Sequence, residues 1–253
     1  MHANLLQLSK KIRVGAVSYL NTKPLLYGLQ HHDVYDSIEL VEDYPSNLAK
    51  ALQDNTIDIG LVPVAVIPSL PESHIISDYC IGAIGSVASV CIFSKVPMDQ
   101  IKTLYLDYQS KTSVNLARIL LKNYWKKEVL LVEAPDHFMD LIDETTAAVI
   151  IGDRALEKYN NYPFRYDLAE AWISYTGKPF VFATWVSNKQ IDTGFIASFN
   201  EANKYGVAHM NEVIQTLETS NIDYNLYTYF IKNISYTLDA AKKEGMAQFL
   251  SLL

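Results

Sequence analysis

Arginine is scarce in this chain: Arg13, Arg118, Arg154 and Arg165 are the four it has, and 28 acidic against 21 basic side chains leave a formal net charge of −7. A nucleic-acid-binding face needs clustered cations, so no nucleic-acid partner is expected. Cysteine is nearly missing. Cys80 and Cys91 are the only two, without CxxC or Cys/His ligand spacing, and they read as small apolar fillers in or near strands rather than as zinc ligands or a disulfide framework. The six histidines include no pair of ligands three or four residues apart, so no metal site is expected. Long apolar runs are also missing. Residues 147–151 form one of the longest, far below the about 20 needed to span a bilayer. Residues 1–11 lack the apolar segment and small-residue cleavage site of an export signal. A cytoplasmic protein with no membrane partner is the expectation.

What is present is an ordinary globular composition, 49% hydrophobic and 19% charged over 253 residues. At about 150 residues per domain, that length suits one large domain or two lobes of about 120. Short apolar runs at 12–17, 38–41, 58–62, 87–93, 103–106, 129–132, 147–151 and 180–186 alternate with helix-period segments. That pattern predicts an α/β fold with largely parallel strands. Helices are expected at 24–29, at 45–53 behind a first-turn proline, and at 113–125 with Thr112 or Ser110 as N-cap. Beyond Val186 no strand pattern appears; Val207, Met210, Ile214 and Leu217 make a helical stripe, as do Leu238, Ala241, Met246 and Phe249. The last 65 residues are therefore expected to be helices packed on an existing sheet. The 17 tyrosines read as half-buried strand and helix residues rather than cleft liners.

A weak internal echo runs through the chain. Residues 56–65 can be laid over 146–155 at an offset of 90, and 12–24 over 103–114 at an offset of 91, each a strand running through a turn into a helix start. Two such halves, facing each other across their strand C-termini, would enclose a cleft of the kind in which open α/β sheets bind ligands.

The loop ends named by this echo carry the candidate site. After the first strand, Ser18, Asn21 and Thr22 offer hydroxyls and an amide ahead of a helix N-terminus, a place that suits a carboxylate; Asn21 and Thr22 could equally be plain caps. Thr112 and Ser113 make a second such end. Gly152 and Asp153 make a third, where Asp153 is either a ligand contact or an N-cap. The run 82–89 is rich in small residues but is neither GxGxxG nor GxxxxGK[ST], so Ser86 and Ser89 either touch ligand or finish a turn. No GxSxG elbow is present, and Lys23, Lys95 and Lys111 read as solvated lysines. Composition and spacing reach an anion-tolerant cleft and stop short of a reaction.

The segment Val14-Gly15-Ala16-Val17-Ser18-Tyr19-Leu20-Asn21-Thr22-Lys23-Pro24-Leu25 resembles the opening of the MqnA family, the chorismate dehydratases of the futalosine route to menaquinone. Asp58-Ile59-Gly60-Leu61-Val62-Pro63-Val64, then Ser89-Val90 entering Phe93-Ser94-Lys95-Val96-Pro97, Lys111-Thr112-Ser113-Val114, Ile151-Gly152-Asp153-Arg154-Ala155-Leu156 and Thr176-Gly177-Lys178-Pro179-Phe180-Val181-Phe182-Ala183-Thr184-Trp185 follow in family order. The resemblance implies a two-lobed type II periplasmic-binding-protein-like fold with a helical C-terminal segment. Lobe 1 would comprise 1–93 plus 186–253 and lobe 2 would comprise 94–185, with residues 90–93 and 181–185 as hinge-crossing strands. It also implies dehydration of chorismate to 3-enolpyruvylbenzoate, without cofactor or metal because aromatisation drives the loss of water.

On that resemblance Asn21 and Ser89 are the catalytic donors, with Ser18, Thr22, Ser86, Thr112, Ser113, Gly152 and Asp153 around the substrate. The base is either the substrate's own enolpyruvyl carboxylate, the candidate the resemblance suggests, or a side chain. Where the family often carries a basic residue before Ser89-Val90, this chain has Ala88, so carboxylate binding would fall to backbone amides, Lys23 or another lysine. Two rivals differ at readable positions. The sister enzyme acting on cyclic dehypoxanthinylfutalosine opens with S-P-C-P-N-D-T-F in place of Ser18-Tyr19-Leu20-Asn21-Thr22, and a non-catalytic organic-anion-binding protein would carry an export signal.

Overall fold

The computed structural model describes residues 11–217 and 221–253; the export-signal reading rests on residues that, up to residue 10, lie outside this range. Eleven strands are found among the described residues: β1 (Ile12–Val17), β2 (Ile38–Asp43), β3 (Ile59–Pro63), β4 (His74–Ala83), β5 (Val90–Ser94), β6 (Thr103–Leu106), β7 (Leu130–Glu133), β8 (Thr146–Ile151), β9 (Phe164–Asp167), β10 (Phe180–Ser187) and β11 (Ser235–Thr237). They form two sheets, in the orders β11-β4-β10-β3-β1-β2 and β7-β6-β8-β5-β9. Between them run α1 (Lys23–Gln30), α2 (Pro45–Gln53), α3 (Lys111–Asn123), α4 (Asp153–Glu157), α5 (Leu168–Thr176) and α6 (Thr193–Ala208).

The echo becomes topology. In one sheet β1 lies between parallel partners β2 and β3; in the other β6 lies between parallel β7 and β8. Beyond β3 and β8 each sheet continues with antiparallel strands. The largely parallel expectation is thus corrected to four parallel and five antiparallel pairings, for a reason of chain path. The strand beside β3 is β10 and the strand beside β8 is β5, each reached from the opposite half of the molecule and entering its sheet in reverse. Pairing also places β5 in the second sheet and β10 in the first, whereas the expected boundaries at 93/94 and 185/186 cut through these strands. The crossings run through 84–89 and 168–179.

Three strands have no counterpart among the sequence-based expectations. In β4 the polar Ser77 and Asp78 interrupt the apolar run, and its pairing with β10 carries two register shifts, so alternation is broken. The four residues of β9 and the three of β11 are too short to carry a period. β11 also corrects the expectation that no strand follows Val186. The expected strand at 87–93 begins only at Val90 because the preceding residues turn, with Ala88 in the left-handed region at φ 61°.

The C-terminal segment is helical in the main, but the expected 207–217 stripe is split between α6 and a second helix, Met210–Gln215, and Leu238 lies ahead of the last helix. α6 crosses α1 where Gly28 faces Ala202 and Gly206 faces Pro24; a Cβ on either glycine would fall inside contact distance of backbone, so only glycine lets the axes approach this closely. The last helix, Ala240–Leu250, sends Phe249 against Phe180 and Trp172, with ring centroids 5.0 and 6.1 Å away. Cys80 and Cys91 are both buried and unpaired, as fillers in β4 and β5. No helix among the described residues is long and apolar enough to cross a membrane.

Candidate active site

Parallel pairing puts the C-terminal ends of β1 and β3 on one edge, and those of β6 and β8 on the corresponding edge of the second sheet. The loops leaving these ends meet. The Leu20 amide donates to both oxygens of Asp153, at 3.0 and 3.3 Å. The Ala65 amide donates to Thr112 Oγ1 at 3.1 Å, and the Tyr19 phenol donates to Gln109. Between the edges lies a cleft with about 480 Å³ of empty space, open solvent at its mouth included. Tyr19, Asn21, Thr22, Leu61 and Phe182 line it from the first sheet's side; Val90, Ser110, Ser113, Ile151 and Gly152 line it from the second's.

Each polar group is placed by local chemistry. Ser110 caps α3: its Oγ accepts from Ser113 N at 3.2 Å and lies 3.0 Å from Ser113 Oγ, so two hydroxyls sit at that helix's start. Of the two expected caps, Ser110 does the work, and α3 starts at Lys111. Asn21 lies in the 3-10 turn Leu20–Thr22 ahead of α1; its backbone oxygen accepts from Tyr236 at 3.0 Å and its Oδ1 from Thr22 at 3.2 Å. Gly152 has φ 63° and ψ −146°, a conformation that favours glycine, and a Cβ there would meet the Tyr19 ring at 3.3 Å.

The sequence-derived candidates therefore divide. Asn21, Thr22, Ser113 and Gly152 line the cleft. Ser89 is buried beside the lining residue Val90, and its Oγ accepts from the Tyr229 phenol at 2.9 Å. Thr112 and Asp153 tie the halves together across the mouth. Asp153 does not cap its own helix; it accepts from the turn ahead of α1, the position where a substrate carboxylate was expected. Burial pushes its carboxyl up to about 6, against the stabilising Leu20 amide. Ser18 is exposed and outside the lining, a correction to its place among the binding residues. Ser86 is turned away as well, donating to Asp167 at 2.7 Å.

Asp167 organises that turn. Its Oδ2 also accepts from the amides of Val87 and Ala88 at 2.9 and 2.7 Å, while its Oδ1 caps α5 through Ala169 and Glu170, both at 3.0 Å. Burial raises its pKa in spite of these bonds. Lys23, one of the suggested carboxylate partners, pairs with Glu42 at 3.0 Å instead. Among the described residues, no lysine or arginine lines the cleft. Arg154 is held at its edge by Asp107 at 2.6 Å and Gln109 at 2.7 Å. The inventory for an anion is therefore hydroxyls, an amide and backbone at helix starts. Among the described residues, no cluster of His, Cys, Asp and Glu could hold a metal ion.

Sequence reasoning missed the tyrosines. Tyr19 lines the cleft, and Tyr229 and Tyr236 reach Ser89 and Asn21 from the C-terminal segment. Contacts across 140 and 215 positions leave no local pattern to read.

Two facing α/β halves with a crossing strand in each define the class: a periplasmic-binding-protein-like fold. A Candida albicans gene product described as exhibiting the generic periplasmic binding protein fold superposes with a TM-score of 0.67 at 15% identity, over 96% of this chain and 89% of that one. The aliphatic sulphonate binding protein SsuA of Escherichia coli gives 0.59 at 14%, over 96% and 86%. A protein of Archaeoglobus fulgidus gives 0.71 at 14%, over 97% of each chain. Residues 12–253 match the VitK2_biosynth family, described as menaquinone biosynthesis, and the chain belongs to it. A chorismate dehydratase of Thermus thermophilus is 23% identical over 262 aligned positions, covering 95% of this chain and 94% of its own length.

Proposed function

We propose that this protein is a hydro-lyase that dehydrates chorismate to 3-enolpyruvylbenzoate in menaquinone biosynthesis. The observation that carries the reading is the near end-to-end match to a chorismate dehydratase in a chain whose cleft gathers neutral donors from both halves. Chorismate is a ring one dehydration short of benzene. Its enolpyruvyl carboxylate takes the proton from the ring carbon bearing the ether, and the electron pair spreads through the diene into the ring carboxylate. The hydroxyl on the adjacent carbon then leaves, and with the abstracted proton makes water.

What the chain must supply is a fixed set of donors for that growing negative charge. Donors already oriented in a site shut off from water stabilise it without reorganising. Asn21 and Ser89, with the Ser110/Ser113 helix start, are the groups we assign to this task. The two halves act as lobes whose closure folds the enolpyruvyl arm over the ring proton, and Thr112 and Asp153 hold the closed form. Purified protein incubated with chorismate should consume it and yield an aromatic enol ether, followed by ultraviolet absorbance and chromatography. Recovery of unchanged chorismate after tight binding would instead assign an organic-anion-binding role of the kind the fold also serves.

A further inference from the structure

The C-terminal segment crosses behind the cleft in a π-helical turn, Tyr229–Asn233. Such wide turns are uncommon and concentrate at functional sites. This one aims two side chains at the loop that carries Ser89. Tyr229, 0% exposed, donates its phenol proton to Ser89 Oγ at 2.9 Å. At the other end of the turn, Asn233 Nδ2 donates to the Ser86 carbonyl at 2.8 Å, and its Oδ1 is fixed by Tyr224 at 3.0 Å. Asp167 grips the loop from the opposite side through Ser86, Val87 and Ala88.

A serine hydroxyl has one proton to give. With Tyr229 donating to its oxygen, the Ser89 proton must point away from the phenol, and no acceptor for it is found among the described residues. Burial raises the Tyr229 pKa, so the phenol remains a donor at working pH. Hydrogen bonds in series also polarise one another.

Building on the dehydratase reading, the geometry points to Tyr229 as a positioning residue. Its phenol orients and polarises the Ser89 hydroxyl as a donor to the anion that forms on the substrate. The tyrosine itself stays behind the serine and off the substrate.

The test is a double-mutant cycle of Tyr229→Phe and Ser89→Ala, with kcat and KM for chorismate and the melting temperature measured on all four proteins. Tyr229→Phe keeps the ring in place and should lower kcat about 10- to 100-fold, the scale of a weakened transition-state donor, while KM moves less than about threefold, since ground-state binding is spared. In the Ser89→Ala background the same change should have almost no further effect, because residues acting as a unit are not additive. The proposal is overturned if Tyr229→Phe retains kcat within about twofold, or if it slows Ser89→Ala by the factor it slows the wild type. It is also overturned if kcat falls only in step with the melting temperature. If the wild-type protein binds chorismate without consuming it, the dehydratase reading fails separately. The positioning role then falls with it, because no anion forms on the substrate for Ser89 to meet.

Discussion

Replacing Asp153 by Asn should make the protein more stable at neutral pH. In the unfolded chain this carboxyl ionises near its ordinary 3.8, whereas burial in the folded molecule pushes it up to about 6. Between those values the folded chain holds a proton that the unfolded chain has lost, so the contribution to stability is complete below about pH 4 and disappears as the pH rises through 6. The two values correspond to roughly 3 kcal/mol, an upper bound for the burden of the ionised form at pH 8. Asparagine keeps an oxygen to accept from the Leu20 amide and removes the titration. The variant should match the wild type near pH 4 and exceed it by about 1–3 kcal/mol at pH 8. Urea denaturation of both proteins across pH 4–8 measures this difference, with all other titrating groups cancelling. A variant less stable than the wild type by more than about 1 kcal/mol at pH 8, or a gap that does not change with pH, would refute the reasoning.

Asn21→Ala and Ser89→Ala should each lower kcat about 100-fold or more, the usual loss for one preorganised donor, with the fold intact by circular dichroism; near-normal turnover in both would remove them from the chemistry. Asp167→Ala strips acceptors from Ser86, Val87, Ala88, Ala169 and Glu170 and should cost about 3 kcal/mol or more in denaturant unfolding, since several donors lose a buried acceptor at once. Gly206→Ala would drive a methyl into the Pro24 carbonyl at the α1/α6 crossing; a loss of about 2 kcal/mol or more is expected, read as a lower melting temperature.

The parts of this molecule legible in its sequence are those in which neighbouring residues carry the information. The run from Val14 to Pro24 shows its strand, its turn and its proline-led helix within a dozen positions, and the two offsets near 90 foretell the matched orders β2-β1-β3 and β7-β6-β8. Asn21, Thr22, Ser113 and Gly152 reach the cleft lining because each stands at the end of such a local unit. Asp153 was found but its partner was not: an N-cap and a bond to the opposite half look alike in one dimension. Ser18 and Ser86 fail for the converse reason, since position in a loop does not say which way a hydroxyl points. Tyr229 and Tyr236 were invisible because their value lies in what comes to meet them from more than a hundred residues away.

The way β10 enters the first sheet bears on the protein's synthesis. Strands β5 to β9 are contiguous in the chain, so the second sheet can pair as soon as residue 167 has left the ribosome. The first sheet cannot, because β10 lies between β3 and β4, and β11 completes the edge only near residue 237. Domains form vectorially when their segments are available, and pairings between distant segments are slow. The half made first is thus the last to be completed, and a chain interrupted before residue 229 would own a nearly complete cleft with no tyrosine behind its serine.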